Sequence, residues 1–134
     1  MKVLVDTSVW SLALRRKEQT ETAEKLAELI VESLVVMIGP VRQELLSGIS
    51  DKAAFDNLKS HLQSFDDLPI TTRDYETAAE YHDTCRKNGV QGSHIDFLIC
   101  AVAINNDLLI FTTDQDFQYY AQCLPIRLFE PVAP

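Results

Sequence analysis

The chain has 134 residues, 46% of them hydrophobic and 24% charged. That is the size and composition of one globular domain, not of a disordered or fibrous chain, and residues 1–134 read as a single domain. No apolar run approaches the ~20 residues of a membrane span, so no membrane association is expected. The net charge of −8, from 12 Lys and Arg against 20 Asp and Glu, excludes the basic footprint usual for nucleic-acid binders, unless acids are gathered in one place to hold cations. Asp6 interrupts the N-terminus before an apolar signal core can form. The three cysteines, Cys85, Cys100 and Cys123, have no metal-ligand spacing. Both features suit a cytoplasmic protein with reduced thiols.

Val3-Leu4-Val5 is apolar without alternation, as in a parallel strand buried on both faces. Asp6-Thr7-Ser8 ends it, and Thr7 or Ser8 can cap a helix from Val9. Ala23, Leu26, Ala27, Ile30 and Leu34 recur at three and four within a helix over 18–33. Leu34–Ile38 reads as a second buried strand. Pro40 suits the first turn of a helix that stops at Gly48. A helix over 51–63, an extended piece at 67–70 and a helix from Thr71 or Thr72 to Lys87 follow. Asn88-Gly89 ends that helix. The segment Ile95–Asn106 is apolar all round, the mark of a buried helix. A strand at 108–112, a short helix opened by residues 113–117 and a late strand at 126–129 complete the chain. Strands alternating with helices in this way predict a three-layer α/β/α fold around a central parallel sheet of four to five strands.

The acids follow this order. Asp6 ends the first strand, Glu44 lies one turn into the helix after the second, Asp96 opens the apolar helix, and Asp114 and Asp116 follow the fourth strand. In an open parallel sheet the carboxyl ends of the strands share one edge, where ligands bind. Asp96 is the sharpest case, because its neighbours are apolar and a helix N-terminus favours a carboxylate by only ~0.3–1 kcal/mol. Repulsion between acids gathered at one edge raises their pKa values. A divalent cation such as Mg²⁺ or Mn²⁺ would quench it with hard oxygen ligands. Taken singly, each acid also fits a cap or a solvated surface position. Their common placement argues for a site.

Val5-Asp6-Thr7-Ser8-Val9-Trp10 resembles the opening motif of a PIN domain. Arg42-Gln43-Glu44-Leu45-Leu46-Ser47-Gly48 resembles its second acidic motif, Gly92-Ser93-His94-Ile95-Asp96-Phe97-Leu98-Ile99-Cys100-Ala101 its third, and Thr112-Thr113-Asp114-Gln115-Asp116-Phe117 its fourth. The four occur in order across nearly the whole chain. At this length the chain is similar to VapC-type toxins of prokaryotic toxin–antitoxin pairs. The resemblance implies an Mg²⁺- or Mn²⁺-dependent endoribonuclease, inhibited by a cognate antitoxin and forming a homodimer. It places Asp6, Glu44, Asp96 and Asp114 in the acidic quartet, with Asp116 as a possible fifth acid. Asp6, Asp96, Asp114 and Asp116 are the expected metal ligands. Thr7 and Thr112 or Thr113 occupy polar positions that orient acids or water.

Neutralising the five acids still leaves a net charge of about −3, so long-range steering of RNA is expected to be weak. Arg15-Arg16-Lys17, Arg42 and Arg86-Lys87 are the candidate phosphate contacts, with Arg15 and Arg16 first among them, and Thr7 and Thr113 are further substrate-binding candidates. His94 suits a phosphate, a partner or a capping role. Tyr75, Tyr81, Tyr119, Tyr120 and Trp10 suit base stacking, the core or an interface, with Trp10 a candidate for a dimer or antitoxin surface. Two rival classes remain: a non-catalytic PIN-like module that binds RNA or protein, and an aspartate-based phosphohydrolase. The latter wants a second Asp two residues after Asp6, where this chain has Ser8.

Overall fold

The computed structural model describes residues 1–15 and 20–130. Arg16 and Lys17 lie outside the described residues, as does the side chain of Arg15. Strand β1 (Val3–Val5) is the middle of a parallel sheet, between β2 (Val35–Val36) and β3 (Leu109–Phe111). All three β1 residues are buried, which is why its sequence shows no polar alternation. The helices are α1 (Thr7–Trp10), α2 (Glu21–Val31), α3 (Gly39–Leu46), α4 (Lys52–Leu62), α5 (Thr72–Lys87), α6 (His94–Asn105) and α7 (Asp116–Cys123). A π-helical turn, Ser11–Arg15, continues α1. Helix α6 packs on β3 and α5, α1 packs on α2 and α3, and α7 packs on α5. Among the described residues no helix is long and apolar enough to cross a membrane.

The α/β/α class agrees with the expectation, but the sheet among the described residues has three strands, not four or five. The segments expected at 67–70 and 126–129 each contribute a single parallel bridge, Met37 with Asp67 and Ile110 with Leu128. Pro69 sits in the first of these segments, and because proline cannot donate to a ladder, pairing there stops after one rung. The second helix begins at Glu21, not at residue 18, because the Thr20 hydroxyl accepts from the Ala23 amide at 3.1 Å and so sets the N-cap. Gly89, at φ +78°, turns the chain out of α5 in a conformation that suits glycine.

Helix α6 behaves as its composition requires, with every residue from Phe97 to Ala103 buried. Trp10 is buried too, at 1% exposure, with its ring edge-on to Phe65 at 5.1 Å. It is a core residue, which corrects its expected place on an exposed interface. The three cysteines are unbonded. Those at 85 and 123, on α5 and α7, meet within hydrogen-bonding reach, and burial pushes the Cys85 thiol up to about 11.

Asp74 joins α5 to the end of α6. Its carboxylate accepts from the Thr71 amide at 2.9 Å, completing a capping box, and from Asn105 Nδ2 at 2.8 Å. Burial alone would raise its pKa, but these hydrogen bonds outweigh burial and the net shift is downward. The stability this gives is present above the ordinary carboxylate pKa and is lost as pH falls below it. Asp74→Asn is expected to lower stability by about 1–2 kcal/mol in urea melts at neutral pH. The variant should also lack part of the acid-side decline that the parent protein shows below about pH 4.

Candidate metal centre

Asp6 leaves β1 with its main chain still in register, its amide donating to the Phe111 carbonyl at 2.8 Å. Its side chain is 7% exposed. Oδ2 accepts from Ser8 Oγ and from Thr112 Oγ1, both at 2.8 Å. Thr112 Oγ1 in turn accepts from the Asp114 amide at 3.0 Å, and Ser8 Oγ accepts from the Thr113 amide at 3.0 Å. The first strand end is thereby fastened to the loop after β3. Asp114 caps the turn into α7, its Oδ1 accepting from the Asp116 amide at 2.9 Å.

Asp96 lies in the first turn of α6, where the Ser93 hydroxyl accepts its amide at 3.1 Å. Its Oδ2 accepts from the Tyr120 hydroxyl at 2.7 Å. Burial raises the Asp96 pKa, and the charges of Asp6 and Asp114 raise it further, against the hydrogen bonds from Tyr120 and Ser93. Burial, together with the bond to Asp96, pushes the Tyr120 phenol well above its ordinary range. That hydroxyl is therefore a permanent donor.

One carboxylate oxygen each from Asp96, Asp114 and Asp116 lies within 4.8 Å of the others. Opposite oxygens around a six-coordinate Mg²⁺ stand about 4.2 Å apart. The set's outer limit is slightly wider than that, and it suits a small hard cation in donor type and in charge, with Asp6 adding a further negative charge beside Asp96.

Glu44 stands apart from that trio. It is an exposed residue on α3, and its Oε2 accepts from Thr7 Oγ1 at 3.2 Å. The buried Thr7 thus fastens Glu44 to the residue next to Asp6, and Thr113 contributes its amide to the same network. Arg42 does not belong to the site. Its guanidinium donates to Asp67 Oδ1 at 3.0 Å, to the Leu62 carbonyl at 2.9 Å and to the Phe65 carbonyl. That corrects its reading as a phosphate contact: every arm of the fork is committed to the end of α4 and the chain just after it. His94 is stacked on His82, ring centres 5.3 Å apart.

The sequence reading passed over Ser8 and Tyr120 as site residues, having assigned them to a cap and to the core or base stacking. Ser93 was readable as an N-cap three residues ahead of Asp96. For Tyr120 the only local signal was its place one turn after Asp116 on the face of α7 that also carries Phe117.

Three comparisons in structure agree on the fold. The chain superposes on the structure of FitAcB from Neisseria gonorrhoeae with a TM-score of 0.78 at 22% identity, covering 96% of each chain. For DNA-bound VapBC from Salmonella typhimurium the score is 0.79 at 13% identity, covering 96% of this chain and 97% of the other. For VapBC-5 of Mycobacterium tuberculosis, a member of the VapBC family of toxin-antitoxin systems, it is 0.71 at 18% identity, covering 98% and 100%. The sequence model of the PIN domain matches residues 3–122. With nearly the whole sequence matched and the acids of all four motifs at or beside one sheet edge, the chain belongs to the PIN domain family.

Proposed function

We propose that the protein is a divalent-metal-dependent endoribonuclease, the toxin of a toxin–antitoxin pair. The observation that carries this reading is the meeting of Asp96, Asp114 and Asp116 beside Asp6, from segments far apart in the chain. A bound Mg²⁺ or Mn²⁺ would lower the pKa of a water and neutralise charge building on the phosphodiester. Asp96, Asp114 and Asp116 would hold that cation, and Asp6 would complete its surroundings through an oxygen kept in place by Ser8 and Thr112. Glu44, held by Thr7, orients the attacking water. RNA meets the site through local contacts, since the protein's net charge is −8. Arg86 suits a phosphate better than Arg42 does. It is exposed, among the described residues carries only a 3.7 Å ion pair to Asp83, and lines a recess of about 210 Å³ together with Gly92.

Purified protein should cleave RNA with Mg²⁺ or Mn²⁺, stop when EDTA is added and resume when the metal is restored. Binding of RNA without cleavage under any of these metals would favour the non-catalytic module instead.

The reading also calls for an antitoxin and for a second copy of the chain. A groove of about 860 Å³ runs between α1, α2 and α4, lined by Leu14, Ala27, Ile30, Ala54 and Leu58. An apolar antitoxin segment fits this groove. Ala27→Glu is expected to weaken antitoxin binding at least tenfold by calorimetry, because burying an unpaired charge costs several kcal/mol. RNA cleavage by the free variant should be unchanged.

A further inference from the structure

Tyr120 is fully buried, although its hydroxyl reaches a carboxylate of the proposed metal centre. Its ring is clamped by Phe97 and Phe117, each with its centre 5.1 Å away. The hydroxyl also has a seat that only glycine provides. A Cβ on Gly92 would come within 2.4 Å of the Tyr120 oxygen and 2.7 Å of the ring carbon that bears it. Gly92 has no left-handed φ, so the backbone conformation at this position does not require a glycine. What requires it is the room taken by the phenol.

We propose that Tyr120 is a positioning residue. Its hydroxyl fixes the Asp96 carboxylate in the orientation that presents it to Asp114 and Asp116, and Gly92 keeps that hydroxyl in line. This rests on the metal-centre reading above. A carboxylate in the first turn of a helix rotates about two side-chain bonds, and the Ser93 hydroxyl, which accepts from the Asp96 amide, approaches it from the N-terminal side only. The phenol, fixed by two aromatic rings, restrains that rotation from the opposite side. It touches neither substrate nor cation in this scheme. Partners of this kind, which orient a ligand without being one, typically change metal affinity 10–100-fold when removed.

The test is Mn²⁺ binding by calorimetry for the parent protein, Tyr120→Phe, Gly92→Ala and Asp96→Asn, with a thermal melt of each. Tyr120→Phe keeps the ring between Phe97 and Phe117 and should melt near the parent temperature. Its Mn²⁺ affinity should fall by about tenfold or more. Gly92→Ala, which retains the hydroxyl but displaces it, should show a loss in the same direction. Raising Mn²⁺ should restore RNA cleavage by Tyr120→Phe and not by Asp96→Asn, which separates positioning from direct ligation. Parent-like Mn²⁺ affinity in Tyr120→Phe overturns the proposal, as does parent-like affinity in a folded Gly92→Ala. Failure of the parent protein itself to bind Mn²⁺ sinks the metal-centre reading instead, so the two failures are distinguishable.

Discussion

Asp96→Asn is expected to cut RNA cleavage by about a thousandfold or more, because the several kcal/mol of charge stabilisation that a metal supplies convert to roughly three powers of ten in rate. Asn is nearly isosteric and still accepts from Tyr120, so the fold should survive. The metal-free variant should in fact be at least as stable as the parent protein. The Asp96 pKa is raised in the folded state, chiefly by burial and then by Asp6 and Asp114. Its ionised form therefore opposes folding at every pH above that raised value, and the penalty fades as pH falls through it towards the ordinary carboxylate value. Urea melts of metal-free parent protein should show this acid-side gain from Asp96, and Asp96→Asn should lack it. Adding Mn²⁺ should raise the parent's melting temperature and leave the variant's nearly unmoved, since a ligand stabilises only the state that binds it. Parent-level cleavage by Asp96→Asn would show that the catalytic site lies elsewhere.

Arg42→Ala is expected to lower stability by about 3 kcal/mol in urea melts. One change removes an ion pair to Asp67 and leaves two carbonyls, those of Leu62 and Phe65, without their charged donor. Hydrogen bonds to charged groups are worth ~1.5–3 kcal/mol, and stranding a partly buried acceptor adds to the loss. Arg42→Lys should recover little of it, because an ammonium cannot match the fork that reaches three acceptors. Under conditions where both proteins are folded, the affinity for RNA should match the parent's. A drop in RNA affinity at unchanged stability would restore Arg42 to its place among the candidate phosphate contacts.

The local sequence carried much of the fold. Val3-Leu4-Val5 announced a strand buried on both faces, and the run from Phe97 to Ala103 a helix buried all round, because burial on every side leaves no room for polar alternation. The direction of the strands then made the placement of the acids readable. Parallel strands end on one edge, and residues just beyond β1 and β3 must meet there wherever they lie in the chain. The caps at Thr20, Asp51, Thr71 and Ser93 have equally local causes, each a hydroxyl or carboxylate three residues before the amide it accepts from, although only Asp51 and Thr71 are among the expected helix starts.

What tertiary structure alone decided has one common cause: the partners lie far apart in sequence. Among the described residues the sheet has three strands, because Asp67 and Leu128 each contribute only a single bridge. Arg42 is three positions along α3 and two before Glu44, yet its acceptors arrive from residues 62–67, so nothing near it reveals its occupation. The hydroxyl of Tyr120 and the missing side chain of Gly92 have meaning only as a pair 28 positions apart. Periodicity and composition report which face of an element is buried, since that depends on each residue's own surface. They do not report which polar atom will meet which, because that is fixed only when separate elements pack.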